Sequence, residues 1–599
     1  MQLPESVVTT AGGFLPKTTW AVRISLVFAG LMVSLPFLNF HHSYPLATFH
    51  TEWLAFALGG VALLAAAFDT PEKSTRVPYL SLGLIGLTLV LLAQIAVGRV
   101  AYVERSLLGT LYLLWAALLV WLAAHLRERC GIERLAFVVQ VFLALGGLLV
   151  ACSGFVMLYG IDVFGFSLTA GAGMEGSMVG TIAQRNGFAN YLGCALASVV
   201  FLLGRRRIGL LSGTLIAVPL ILALVLSTSR GALLYVALTG AAAFWLFWRG
   251  DRERLRPLLG FALLVVLASL GFSAGLSMVE DAHIPTQGGR WAATLSSDWG
   301  RYDMNTRLYF LAESWSMFTA HPLLGAGFGE FAWNLFDHGL DPQRRGGGVA
   351  THAHNALFEL LAETGALGTL CIVVPLVLWL RAFRWRDPTP EGAWLATLLA
   401  IEAVHSATEF PLWYATFLGL AAVLVGSAPQ PEIHLQFTRF RRAALIAVLV
   451  AGLLAMVSVL FDYRAFERWY LEADASQRRG LPLSERQVSE LIELRGRSLF
   501  VGYYDLLASE LFVLDRENLD AKLELNTRVL RFVPIPTVAF RQAALLALAG
   551  EHENAVLMLS RLAAMYPGEL PQSLARLERM AREDPEGFSA LAAEARRRF

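Results

Sequence analysis

The sequence predicts an all-α, polytopic membrane bundle of about 13 transmembrane helices, with a long outer loop and a soluble helical tail. Three observations carry that prediction. Hydrophobic residues make up 56% of the 599-residue chain. Mean hydropathy is +0.55. The apolar residues gather into runs approaching the ~20 positions a bilayer helix needs. These runs are Ile24–Phe40, Trp53–Phe68, Tyr79–Gly98, Ser106–Leu126, Ala136–Tyr159, Asn186–Gly204, Ile208–Leu226, Gly231–Trp248, Leu258–Met278, Thr364–Leu380, Gly392–Val404, Leu412–Ser427 and Ala443–Phe461. Trp53–Phe68 and Gly392–Val404 are short for a membrane span.

Basic residues collect on the cytoplasmic side of membrane proteins. Arg205–Arg207, Arg249–Arg256, Arg381–Arg386 and Arg439–Arg442 fall in every second loop, so the N-terminus is expected inside. Segments 160–185, 227–230, 279–353 and 405–411 and the tail after Asp462 then share the outer face. Arg99 and Arg105 run against this pattern.

Composition excludes an ordinary soluble enzyme. A net charge of +1 gives no bulk attraction for nucleic acid, and none is expected as a partner. The four cysteines (Cys130, Cys152, Cys194 and Cys371) lie far apart in or beside apolar runs, read as small buried hydrophobes without metal spacing. No cleavable signal is expected, because the first apolar run starts late and lacks a small-residue cleavage site.

Three blocks are expected. Residues 1–461 form the membrane body, residues 279–353 interrupt it as a loop, and residues 462–599 form the helical tail. The loop is far longer than ordinary connections, which marks it as functional. Within it, Leu308, Leu311, Trp315 and Phe318 recur at helical spacing, with Asp303 or Asn305 as the expected N-cap. Such a helix lies in the membrane interface or plugs the bundle. In the tail, Ala539, Ala543-Ala544, Gly550, Ala555, Ala563 and Tyr566-Pro567 resemble a tetratricopeptide unit, with a degenerate second unit around Leu507–Phe532.

The polar residues that suggest chemistry lie on the outer face. His354-Asn355 precedes Gly365-Ala366-Leu367-Gly368-Thr369, and on one continuous helix Gly365 and Gly368 return to the face of His354. The two glycines then let a neighbouring helix approach beneath the histidine. Arg230 sits in the short turn Ser227–Arg230. Arg307 opens the amphipathic helix, an unfavourable end for a cation. Two arginines and a histidine on one side suggest diphosphate recognition beside a general base.

His354-Asn355-x9-Gly365-x-x-Gly368-Thr369, Arg230…Leu234, Arg307…Leu311 and His321-Pro-Leu-Leu-Gly-Ala-Gly-Phe-Gly329 together resemble the O-antigen ligase/Wzy-type polymerase superfamily, over roughly residues 180–420. The tail and Ala183-Gln184-Arg185-Asn186 are most similar to its protein O-oligosaccharyltransferase branch, although Arg185 and Gly187 stand where that branch has proline and histidine. The resemblance implies an inner-membrane glycosyltransferase with its active site facing the periplasm. The expected donor is an undecaprenyl-pyrophosphate-linked glycan, and the expected acceptor a protein or glycolipid, with membrane lipid around the bundle. No cofactor and no metal are expected, and no Asp-x-Asp occurs in the chain. His354 is the implied base, with His352 the alternative, and Arg230 and Arg307 are the implied pyrophosphate ligands. Gln184, Asn186, Asn355, His405 and Glu409 are candidates for sugar or acceptor contacts, and Gly365 and Gly368 are structural. An alternative acceptor is lipid A-core or a growing polysaccharide. The reading from outside the enzymes is a transporter or flippase, against which stands the near absence of charge within the apolar runs, Glu402 excepted.

Overall fold

A computed structural model describes residues 19–69, 74–160, 162–163, 166–167, 178–277, 298–340, 349–386, 388–479 and 483–599. The membrane part begins with α1 (Trp20–Met32), α2 (Phe49–Asp69), α3 (Tyr79–Ala96), α4 (Val103–Cys130), α5 (Ile132–Leu158), α6 (Arg185–Gly204), α7 (Leu210–Leu226), α8 (Gly231–Arg249) and α9 (Arg252–Ser277). The segment expected at the outer face follows, with α10 (Asp298–Ala320) and α11 (Phe331–Asp337). The chain then re-enters the bundle through α12 (Ala356–Ala382), α13 (Pro390–Ser406), α14 (Ala415–Ser427) and α15 (Arg439–Arg478). Over their described residues, all thirteen apolar runs are therefore largely helical. Ten helices are long and apolar enough to cross a membrane, among the described residues. Those at α7, α13 and α14 are shorter, at 17, 17 and 13 residues. The short run Trp53–Phe68 lies in a 21-residue helix, because Glu52 in its first turn is buried where it accepts from Ala415 N at 2.5 Å and Tyr112 OH at 3.3 Å.

The bundle is built around α6, which is apolar on all sides and 94% buried over its membrane window. It packs against α5, α7, α8, α9 and α13. Close approach to α5 depends on Gly147, where an added Cβ would collide with the Ala195 side chain. The basic clusters share one end of the bundle. Arg205 pairs with Glu133 at 3.4 Å and with Glu391, Arg129 binds Asp69 at 2.5 Å, and Arg127 pairs with Glu432. At that end β1 (Thr75–Pro78) pairs antiparallel with a later strand, Glu432–Leu435.

Of the four cysteines, Cys130 and Cys194 are buried, but Cys152 is exposed on α5. The reading of all four as buried hydrophobes is corrected there.

The tail comprises α16 (Glu485–Arg497), α17 (Val501–Leu511), α18 (Leu519–Phe532), α19 (Pro536–Leu548), α20 (His552–Met565), α21 (Leu570–Glu583) and α22 (Pro585–Arg598). Successive helices pack in pairs, and Gly550, at φ +79°, supplies the left-handed residue between α19 and α20. The 40-residue α15 runs unbroken from the bundle into this region. The tail shares one apolar core with the outer segment, in which Val529, Leu530, Phe540, Leu559 and Met565 belong with Phe310, Met317, Phe331 and Phe336.

Arg99 and Arg105, which run against the charge pattern, are ligands for the outer segment. Arg99 Nη1 donates to Gly325 O at 3.1 Å and Arg105 Nη1 to Gly329 O at 2.8 Å.

Two local expectations are corrected. The helix of the outer segment starts at Asp298, so Arg307 lies in its third turn and escapes the N-terminal dipole penalty; Asp303 and Asn305 lie inside the helix and do not cap it. Its buried face is Phe310, Glu313, Ser314 and Met317, while Leu308 (59% exposed) and Trp315 (53%) point outward, as contact with lipid requires of an interfacial helix. Secondly, the helix after His354 is broken. Gly365 has φ +63° and ψ −164°, and the glycine-rich loop pairs its backbone with the break: Ala366 N donates to Pro322 O at 2.8 Å and Ala326 N to Ala362 O at 2.9 Å. A Cβ at Gly365 would strike the backbone of Leu323 and Gly325, so this glycine accommodates a loop rather than a neighbouring helix. Gly368 does face a neighbouring helix, at Leu87 of α3. The buried Gln94 amide closes the junction, donating to Leu324 O at 2.5 Å and Glu363 O at 2.6 Å and accepting from Phe328 N at 3.1 Å.

Candidate functional site

His354 lies just before α12 rather than on it. Asn355 caps the helix, accepting from Leu357 N at 3.1 Å and Phe358 N at 3.2 Å, while its amide donates to Ala407 O at 3.1 Å. Ahead of it, Ala353 N donates to the buried Glu359 carboxylate. Held between these bonds, His354 adopts φ +54°, a left-handed conformation that costs energy in a non-glycine residue. Gly365 and Gly368 therefore do not share a helical face with His354, contrary to expectation, since His354 precedes the helix and the helix breaks at Gly365.

The turn directs the imidazole at Glu409, with Nδ1 2.9 Å from Oε2. A carboxylate only accepts, so Nδ1 carries a proton, and in the neutral ring Nε2 presents the lone pair. The ring lies parallel to Phe310 at a centroid distance of 5.9 Å and edge-on to Phe410 at 5.2 Å. Its side chain keeps 28% exposure, so a ligand can reach it.

Glu409 joins four elements. Its Oε1 accepts from Asn186 Nδ2 at 2.8 Å, at the start of α6, and lies 3.5 Å from Arg307 Nη2 on α10. Its amide donates to His405 O at 2.8 Å. Burial pushes its carboxyl up, but the His354 hydrogen bond and the charges of His354, Arg307 and His405 outweigh that and hold it below its ordinary 4.5. Asn186 Oδ1 in turn accepts from Ser229 Oγ at 2.9 Å. Ser229 lies in the α7–α8 turn, where Thr228 has φ +53°. Arg230 follows as the exposed N-cap residue of α8.

His354, Glu409, Asn186 and Arg307 are thus bonded together, with Arg230 joined through its neighbour Ser229. Gln184 is exposed and caps α6 by accepting from Gly187 N. His405 is 3% exposed, edge-on to Phe417 at 5.7 Å, which makes it an inner wall beneath Glu409 and not a surface contact. His352 faces away: its Nδ1 lies 2.9 Å from Glu359 Oε1 and its ring packs on Phe410 at 4.4 Å. Burial pushes its imidazole down to about 3, so it is neutral and enclosed.

Sequence reasoning missed Ser229, Phe310, Phe410 and Gln94. Gln94 alone carried a signal, as a lone amide in an apolar run. The others sit where serine and phenylalanine are ordinary.

Chemically, the arrangement offers a carboxylate-oriented imidazole beside a guanidinium, which suits proton removal from a hydroxyl next to an anionic leaving group. Residues 215–373 match the O-antigen ligase family model, and residues 393–578 match that of the virulence factor membrane-bound polymerase, C-terminal. The chain is also 23% identical over 454 residues to a general O-oligosaccharyltransferase of Acinetobacter baylyi, covering 74% of this chain and 76% of that protein.

Proposed function

Since the chain is a multi-pass membrane glycosyltransferase of the O-antigen ligase type, acting on a lipid-linked glycan, we propose that it transfers an oligosaccharide from undecaprenyl pyrophosphate to a Ser or Thr hydroxyl of a protein such as pilin. The reaction belongs to the periplasmic face of the inner membrane. Residues 1–461 are the membrane body that carries the site, residues 279–353 its periplasmic loop, and residues 462–599 the periplasmic helical tail.

In this reading His354 Nε2 takes the acceptor proton as the hydroxyl oxygen attacks the anomeric carbon. The bond from that carbon to the pyrophosphate oxygen breaks, and the electron pair leaves with undecaprenyl pyrophosphate. A single displacement inverts the anomeric centre. Glu409 holds the protonated imidazole through Nδ1, as a carboxylate does for a catalytic histidine. Arg307 and Arg230 offset the charge gathering on the leaving group, a role suited to the planar guanidinium fork. No step calls for a metal or another cofactor. Asn186 fixes Glu409, while Gln184 and Asn355 border the site. The observation that carries the reading is the 2.9 Å bond between His354 and Glu409 on the face that also holds Arg307.

The test is co-expression with a lipid-linked glycan pathway and candidate acceptors. Sugar on a protein, lost in His354→Ala, supports the proposal. The polymerase-type match over residues 393–578 favours a second reading, chain extension. A ladder of repeat units on the lipid carrier, with no glycosylated protein, would establish that reading instead.

A further inference from the structure

Away from His354, a second cluster joins three parts of the chain that are remote in sequence. His41 Nε2 lies 2.9 Å from Glu467 Oε1, across 426 positions. His50 Nε2, in the first turn of α2, lies 3.5 Å from Glu467 Oε2. The His41 and His50 ring centroids are 4.6 Å apart. One nitrogen from each histidine and a carboxylate oxygen all fall within 4.8 Å of one another. His50 Nε2 is buried and has no hydrogen-bond partner, although it faces the carboxylate. Side-chain exposure falls from 51% at His41 to 16% at His50 and 12% at Glu467, so the cluster is open on one side and closed on the others.

We propose that His41, His50 and Glu467 form a binding site for a divalent transition metal of the zinc class, which pins the first outer loop to the stem of α15. Two imidazole nitrogens and one carboxylate oxygen are a borderline-soft donor set that suits zinc and its neighbours and disfavours magnesium and calcium, which prefer all-oxygen shells. Ligand atoms around a tetrahedral zinc stand about 2.0–2.2 Å from the ion, so neighbouring donors are roughly 3.3 Å apart. His41 Nε2 stands 2.9 Å from Oε1 and His50 Nε2 3.5 Å from Oε2 of the one carboxylate, and the three donor atoms lie within 4.8 Å of one another, near enough for small side-chain movements to close them on an ion. The orphaned nitrogen of His50 gains a partner when an ion enters, and His41 provides the exposed side by which it arrives.

The site's position gives it a structural task. Next to His41, His42 Nε2 lies 2.7 Å from Thr181 O, in the 3-10 turn Gly180–Ile182 ahead of Gln184 and Asn186. Ser43 donates to the same Glu467 carboxylate. An ion at the cluster therefore ties α15, the 39–48 loop and the approach to α6 into one unit. This role is independent of the chemistry at His354, and its test does not depend on glycan transfer.

The full chain, in detergent, freed of any polyhistidine tag and stripped with EDTA, is loaded with zinc chloride and desalted. Retained metal is measured by elemental analysis, and thermal unfolding is followed by tryptophan fluorescence. The expected result is about one equivalent of zinc retained and a raised unfolding midpoint, with no shift from magnesium chloride. His41→Gln and Glu467→Gln, each close in size to the original, abolish both effects, whereas His434→Gln at the opposite end of the bundle retains them. No retained zinc in the parent protein overturns the proposal. So does retention unchanged in a His41→Gln/Glu467→Gln double variant that elutes as a single folded species.

Discussion

Arg531, in the last turn of α18, donates from Nε to Glu330 Oε2 at 3.1 Å and from Nη2 to the carbonyl of Arg99 at 3.3 Å. The other Glu330 oxygen accepts from Ala101 N at 2.7 Å. One arginine of the tail thus fastens the glycine-rich loop and the α3–α4 turn together. Arg561 adds a 2.6 Å contact to Asp337, and Tyr102 OH donates to the buried Asp505 at 3.0 Å.

Truncation after Tyr463 should therefore disturb the 298–337 segment that carries Arg307. It uncovers Phe331 and Phe336, both fully buried against the tail, along with the back of α10 that carries Arg307. The truncated protein should lose donor binding together with transfer and show faster proteolysis of the outer segment. Arg531→Ala should be milder, lowering stability by about 2 kcal/mol through loss of charged hydrogen bonds to a buried carboxylate. Limited proteolysis and thermal unfolding measure both effects.

His354→Ala should abolish transfer while the protein remains folded in the membrane, and Glu409→Gln should reduce the rate by roughly 10²–10⁴-fold, the range typical of general acid–base catalysis. His352→Ala should be much milder for chemistry, because its imidazole is largely enclosed and directed at Glu359. A single-turnover transfer assay on lipid-linked glycan separates the three. Reversal of the two histidine effects would make His352 the base.

Lysine at Arg230 or Arg307 should retain part of the activity that alanine or glutamine removes, with weaker donor binding in either case. An ammonium keeps the charge but cannot make the two-pronged contact to phosphate. At Arg307 the loss should be larger, because the same side chain lies 3.5 Å from Glu409 and helps set its charge. Titration of donor binding against transfer rate distinguishes the two positions.

Acid should weaken the site in a defined direction. The Glu409 carboxyl titrates below its ordinary 4.5 when folded. The stability it contributes is therefore fully present above that value and is lost as pH falls through the depressed folded one. In Glu409→Gln this part of the acid sensitivity should vanish. Thermal unfolding of both proteins from about pH 7 to about pH 3 should show their midpoints converging toward acid. An equal gap at every pH would remove the charged Glu409 from the account.

Alkaline-phosphatase fusions after Gly348 and after Asp474 should be active, and one after Arg252 silent. An inactive outer fusion would separate His354 from the proposed face.

The membrane helices were legible because bilayer thickness writes a length into the sequence, while helices such as α2 and α12 hid part of themselves behind buried polar residues, Glu52 in one and Glu359 and Glu363 in the other. Several candidate site residues were legible by type, and the structure brings His354, Asn186, Arg307 and Glu409 together. Their roles toward one another were not legible. The His354–Glu409 bond spans 55 positions and the Asn186–Glu409 bond 223, distances over which no periodicity operates. The break at Gly365 was concealed for a related reason: a glycine inside an apolar run reads equally as helix packing or as a left-handed turn, and only the loop at Pro322–Gly327 decides between them.

The 40 residues of α15 form a rod about 60 Å long. Because it runs from the bundle into the outer region without a joint, it works as a gauge, setting how high above the lipid surface the tail stands. In the proposed reaction, an acceptor received by the tail would meet the reaction centre at a fixed elevation. Inserting or deleting a single residue in the exposed part of the rod would rotate its far end by about 100° and move it by about 1.5 Å, setting the rod against the contacts that fasten the tail at Glu330 and Asp337.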